Sequence, residues 1–150
     1  MRADRLQQLA AHLRAGRHGG HQRFDLMIVR QPFTYVEKQQ PMARQHCGTA
    51  GCAMGELPVV FPQDWEFPAG LDTVCLRTAS CADLYDEVAV FFGIYRTDAF
   101  NLFNACMPRW WAAGQLEEDA TAEQVADSID AFVSARHQRE LARREDNGEG

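Results

Sequence analysis

The densest group of reactive side chains lies at residues 46–55, where the sequence reads HCGTAGCAMG. A thiol at a helix N-terminus has a lowered pKa and reacts as a nucleophile, and an adjacent imidazole is able to remove its proton. Cys47 and Cys52, with His46 as the base, are therefore the candidate catalytic residues of a thiol-dependent enzyme. The alternative is that both cysteines are small buried side chains that fill space in the core. We favour packing, because no second histidine lies with them in a recognisable motif.

The same segment predicts a short helix. Thr49 is a suitable N-cap, since its hydroxyl can accept a hydrogen bond from the amide of Cys52. The helix is expected over residues 50–57 and to end at Pro58, which has no amide hydrogen to donate. Small residues on one face would let another backbone approach closely, so we expect the fold to be organised around this Gly/Cys-rich helix. Its structural motif comprises Cys47, Gly48, Thr49, Cys52 and Gly55.

A zinc-stabilised module is a third interpretation of the cysteines, with Cys47, Cys52, Cys75 and Cys81 as the ligands. Structural zinc sites typically separate paired ligands by about two to four residues, and the second pair here is separated by five. We therefore expect no bound metal. The sequence also lacks a Gly-rich phosphate loop after a strand, a G-x-S-x-G segment and an H-E-x-x-H segment. We accordingly expect no cofactor.

The segment C-G-T-x-x-C-x-x-G at residues 47–55 resembles the signature of small uncharacterised proteins of bacteria and their phages. The likeness covers roughly residues 24–133, through the segments at 24–26, 90–94, 99–103 and 121–126. One departure is Glu56-Leu57-Pro58, where the resemblance implies a longer helix. No activity is established for such proteins, so no catalytic residue is carried over. With the acidic charge and the lack of catalytic motifs, the resemblance implies a non-catalytic, phage- or prophage-encoded regulator of a host protein, for example an inhibitor of a host or defence complex.

Apolar periodicity predicts the first and last helices. The first is expected over residues 3–15, and its buried face comprises Leu6, Leu9, Ala10 and Leu13. Thr121 and Gln124 form a capping box for the last helix, and its core stripe comprises Val125, Ile129, Phe132 and Val133.

Between them, Ser80 and Asp83 form a capping pair for a helix that Gly93 ends, and Thr97 caps a helix over residues 98–104. A β-prone segment at 73–78 is expected to pair with Phe67 or with residues 33–36 as a small antiparallel hairpin. The fold class is therefore α+β and mostly α-helical, with four to five helices.

Charge divides the chain of 150 residues into a basic first third and an acidic remainder. Residues 1–46 carry a balance of +5 and residues 47–150 a balance of −11, for a net charge of −6. An acidic body favours a basic protein patch as partner. Nucleic acid is not expected as a partner, except through the basic N-terminal segment. Alternatively, the two parts complement each other within one fold or a homodimer.

Length and composition indicate a single domain over residues 1–140, which begins with a basic helix and a Gly/His loop at 1–22. Residues 141–150 are expected to form a disordered acidic tail. The N-terminus has no apolar signal-peptide region, and no apolar run reaches the ~18 residues of a membrane span. We therefore expect a cytoplasmic protein with reduced thiols.

Two aromatic segments are candidate binding sites. Arg109, Trp110 and Trp111 are adjacent, and an exposed tryptophan is typical of a binding hot spot. Trp65 lies in a Pro-bounded segment with Phe61 and Phe67. That segment is either a loop packed on the core or an aromatic ligand cleft.

Overall fold

The structure, a computed structural model, describes residues 1–16, 21–24, 49–51, 53–68, 74–78, 83–104, 111 and 120–147. The described part is α+β and mostly helical, as predicted. Its elements are α1 (Ala3–Arg14), β1 (His21–Phe24), β2 (Thr49–Gly51), α2 (Leu57–Val60), β3 (Trp65–Glu66), β4 (Cys75–Leu76), α3 (Leu84–Phe92), α4 (Arg96–Phe103) and α5 (Ala122–Asp146).

The core is built on the packing of α1 along the first half of α5. The predicted face of α1 is confirmed, since Leu6, Leu9, Ala10 and Leu13 are all buried. The predicted stripe of α5 is confirmed too, at Val125, Ile129, Phe132 and Val133. Burial of a leucine or isoleucine side chain contributes ~1.5–3 kcal/mol each, so this pair of faces supplies a large part of the hydrophobic stabilisation.

Local capping signals fix the ends of two helices. The Thr121 hydroxyl accepts from the Gln124 amide at 3.2 Å, and the Gln124 side chain accepts from the Thr121 amide at 2.8 Å. This confirms the predicted capping box of α5. Gly93 ends α3 at φ +63°, as predicted for a C-cap, because glycine adopts the left-handed conformation without a Cβ clash.

Three boundaries differ from the predictions. Helix α3 is capped by Asp83 rather than Ser80, because the Asp83 carboxylate accepts from the amides of Tyr85 and Asp86. Helix α4 begins at Arg96, one residue before the predicted cap Thr97. Helix α5 continues to Asp146, so residues 141–146 are helical where the charge pattern predicted a disordered tail.

Two small sheets accompany the helices. Strands β3 and β4 are antiparallel, with Trp65 opposite Leu76, so the predicted hairpin forms with its first strand just before Phe67. Strands β1 and β2 pair in parallel. The predicted helix over residues 50–57 is therefore wrong, and Thr49 is not an N-cap. The reason is that Thr49–Gly51 is strand β2, paired with a distant segment, and glycine is unfavourable inside a helix by roughly 1 kcal/mol.

Helix α2 begins where the predicted helix was expected to end. Residues 53–56 form a turn, and the Leu57 amide donates to the Met54 carbonyl at 3.1 Å. Pro58 lies in the first turn of α2, where its missing amide hydrogen has no helical partner to lose. The proline therefore starts this helix instead of stopping the previous one.

Asp83 makes the free energy of unfolding depend on pH in the acidic range. The Arg96 guanidinium, 2.8 Å away, and then the Asp86 amide hold the pKa of the Asp83 carboxyl below its ordinary value. The folded state thus favours the ionised form, and this contribution is complete above the unfolded pKa of about 3.9. It is lost as the pH falls through the lowered native pKa.

For Asp83→Asn, which keeps a capping oxygen, we expect the free energy of unfolding in urea to fall less steeply below about pH 4. Identical slopes for wild type and variant would contradict this.

Candidate functional site

Most of the residues that the sequence singles out for chemistry lie outside the described part of the chain. They are His46, Cys47, Gly48, Cys52, Cys81, Arg109 and Trp110. The thiol-enzyme interpretation therefore stays a prediction. Of the remaining motif residues, Thr49 lies in β2 and Gly55 is buried in the turn that precedes α2.

Trp65 is part of the core. Its side chain is 0% exposed, and its ring lies edge-on to Phe91 with centroids 5.5 Å apart. Phe61 packs edge-on against the same Phe91 ring at 5.0 Å. The structure therefore supports the packed-loop interpretation of this segment, and Trp65 offers no surface for a ligand.

Trp111 is half-buried against α5. Its ring lies edge-on to Phe132, with centroids 4.8 Å apart. Part of this tryptophan therefore contributes to the core, and its remaining surface is open to solvent.

Cys75 forms a disulfide. The chain has four other cysteines, Cys47, Cys52, Cys81 and Cys106, all outside the described residues. A disulfide sulfur is not the thiolate that zinc requires. The interpretation of Cys75 as one of four zinc ligands is therefore wrong. The expectation of reduced thiols is wrong for this residue. Disulfides persist in oxidising environments, which is at odds with the cytoplasmic location expected from the sequence.

A pair between a partly buried histidine and a buried glutamate was missed by the sequence reasoning. His12 Nε2 lies 2.9 Å from Glu56 Oε2, and the Glu56 side chain is 0% exposed. Helix α1 supplies the histidine, and Glu56 is the N-cap residue of α2. A carboxylate in this position orients an imidazole, an arrangement that also occurs in proton-transfer sites. The sequence signal that could have indicated this pair is Glu56, an acidic residue within an otherwise apolar run.

Two further carboxylates are buried, and each joins two elements. Glu87 of α3 accepts from the Leu76 amide of β4 at 2.8 Å, and its other oxygen lies 3.9 Å from the Cys75 sulfur. Asp98 of α4 lies 3.4 Å from the Arg136 guanidinium of α5. A buried charge is costly unless it is paired, so these contacts serve as polar cross-links in the core.

The basic and acidic parts of the chain complement each other inside the fold. The Arg14 guanidinium of α1 lies 2.6 Å from Asp127 and 2.7 Å from Asp130 of α5. Hydrogen bonds to these two carboxylates raise the pKa of Arg14. Such exposed pairs contribute at most about 1 kcal/mol each. They nevertheless pair one arginine of the basic N-terminal segment, the candidate contact for nucleic acid, with carboxylates of the same protein.

A small cavity opens between the α3–α4 turn and the second half of α5. It holds about 70 Å³ and is lined by Tyr95, Arg136, Arg139, Glu140 and Arg143. The Arg136 guanidinium lies over the Tyr95 ring, 4.8 Å from its centroid. Guanidinium groups bind carboxylates and phosphates through paired hydrogen bonds, so this cavity is suited to an anionic group.

No family profile, curated protein sequence or solved structure matches the chain. Among the described helices, none combines the length and apolar composition that a membrane span requires.

His12 and Glu56 should be energetically coupled. Replacing His12 by alanine leaves the buried Glu56 carboxylate without this partner, and we expect a loss of about 1–3 kcal/mol in the free energy of unfolding. Gln8→Ala, on the exposed face of the same helix, is the control and should change it by less than about 0.5 kcal/mol. A double-mutant cycle with Glu56→Gln measures the coupling. Strictly additive losses would contradict a direct interaction.

The disulfide of Cys75 should be detectable and stabilising. Alkylation of the denatured, unreduced protein should leave Cys75 unlabelled, whereas alkylation after dithiothreitol should label it, as read by peptide mass spectrometry. Reduction should also lower the free energy of unfolding by about 2–4 kcal/mol. Labelling of Cys75 without reductant would contradict the bond.

Proposed function

We propose that this protein acts by binding another protein, through the exposed second half of α5. The observation that supports this proposal is the change from buried to exposed residues along that helix. Its first half is buried on α1, whereas residues 137–147 are each exposed to solvent. The helix is 25 residues long, or about 37 Å, and about 16 Å of it extends past the core.

The exposed half lacks the sequence of a helix made for packing within its own domain. Buried helices carry an apolar stripe, whereas residues 137–147 read HQRELARREDN, in which every side chain except those of Leu141 and Ala142 is charged or polar. Isolated helical segments of this length are marginal in water. The core does not contact this segment, so its role lies in contact with a partner protein.

The adjoining surface has the residue types of a protein interface. Tyr95 is 64% exposed and lies under Arg136 of α5. Tyrosine and arginine are enriched at the positions that dominate binding energy, whereas glutamate and lysine are depleted there. The Cys-Gly-Thr resemblance to proteins of bacteria and their phages makes a bacterial host protein the partner class to search first.

Site-specific photo-crosslinking tests this function. Benzoylphenylalanine placed at Gln138 or Leu141, both exposed on α5, should give a discrete crosslinked product in lysate of the bacterium that carries the gene. The same group at Gln8, on the exposed face of α1, is the matched control and should give none. An absence of products at both α5 positions, or the same products from position 8, would count against the proposal.

A further inference from the structure

The cavity beside Tyr95 has one fixed wall. Arg136 is held from two sides, by the Tyr95 ring at 4.8 Å and by Asp98 at 3.4 Å. Asp98 is itself 5% exposed, so the ion pair is anchored in the core and not on the surface. The α3–α4 turn is fixed as well, because the Ile94 amide donates to the Ala89 carbonyl at 3.0 Å. Tyr95 and Arg136 are therefore positioned before any ligand arrives.

The other wall is a row of arginines along α5. Arg136, Arg139 and Arg143 are three and four residues apart, the spacing that places side chains on one helix face. The row is about 10 Å long. Glu140 is the acidic residue that lines the cavity with them. Arg143 makes no ion pair within the described residues.

This local charge is opposite to that of the whole chain. The protein has a net charge of −6, yet three of the five residues that line the cavity are arginines. Arginine presents a planar fork that matches a carboxylate, and it also stacks on an aromatic ring. A tyrosine that is 64% exposed beside these arginines adds an apolar face to the same surface.

We propose that this surface, the Tyr95–Arg143 groove (Tyr95, Arg136, Arg139, Glu140 and Arg143), binds an acidic segment of the partner protein. The inference rests on the proposed function and names the chemistry of its partner. Cations distributed over about 10 Å match several carboxylates along a peptide better than one compact phosphate ion. A carboxylate of the segment pairs with Arg143, next to Arg136 and Arg139, and an apolar side chain of the segment lies against Tyr95.

Peptide binding tests the groove directly. The probe is a fluorescein-labelled peptide of alternating glutamate and glycine with one leucine at its centre, titrated with the intact protein at about 50 mM salt, where screening is moderate. Fluorescence anisotropy should show saturable binding, and the same peptide with glutamine for glutamate should not bind. Arg143→Glu should weaken binding by about tenfold or more. Tyr95→Ala should weaken it as well.

Arg144→Glu is the matched control. It changes the net charge by the same amount at the next position of the helix, but Arg144 does not line the groove. It should weaken binding several-fold less than Arg143→Glu does, because Arg144 makes no direct contact with the bound segment. Equal weakening by both charge reversals would reduce the effect to overall electrostatics and overturn the proposal, and so would an absence of saturable binding to the glutamate peptide.

Other occupants give distinct results. Displacement of the peptide by an equal concentration of inorganic phosphate would identify a phosphate site and overturn the acidic-segment proposal. Self-association in sedimentation velocity that Arg143→Glu abolishes would identify a second copy of the chain and overturn it too. If the crosslinked products at positions 138 and 141 persist unchanged in Arg143→Glu, the groove proposal fails while the protein-binding function stands.

Discussion

The contact between α1 and the first half of α5 is the interaction on which the rest of the structure depends. It joins the two ends of the described chain, and the apolar faces of both helices are buried against each other. The elements between them are held to this pair by a small number of specific contacts. Arg2 donates its amide to the Phe92 carbonyl of α3 at 2.8 Å, and the Arg5 guanidinium lies over the Phe91 ring. Helix α1 therefore positions α3 as well as α5.

Polar groups inside the core add specificity to this hydrophobic framework. Glu56, Glu87 and Asp98 are buried, and each contacts a group from a different element. Replacing such a pair by well-packed apolar residues is often neutral for stability, whereas removing one partner is strongly destabilising. Their value is thus in fixing which elements meet. The Asp98–Arg136 pair shows the consequence most directly, because it sets the position of a half-buried side chain next to the exposed part of α5.

Local signals were enough to predict part of this fold. The buried face of α1, the capping box at Thr121 and the left-handed cap at Gly93 follow from residue types within one or two turns. The helix predicted over residues 50–57 was wrong because the partner strand of Thr49–Gly51, β1, is distant in sequence, and pairing across the sheet overrides a local capping preference. His12 and Glu56 are 44 residues apart, so neither spacing nor periodicity connects them. The choice between Ser80 and Asp83 as cap failed for a simpler reason, since both residues are good caps.

The distance in sequence between α1 and α5 governs how the protein is made. The salt-bridged residues Arg14 and Asp127 are 113 positions apart, and α1 leaves the ribosome long before its packing partner is translated. During that interval the leucines of α1 have no native surface to cover them. The nascent chain must therefore stay soluble, or be held by a chaperone, until α5 has been synthesised. Contacts of such long range also slow folding.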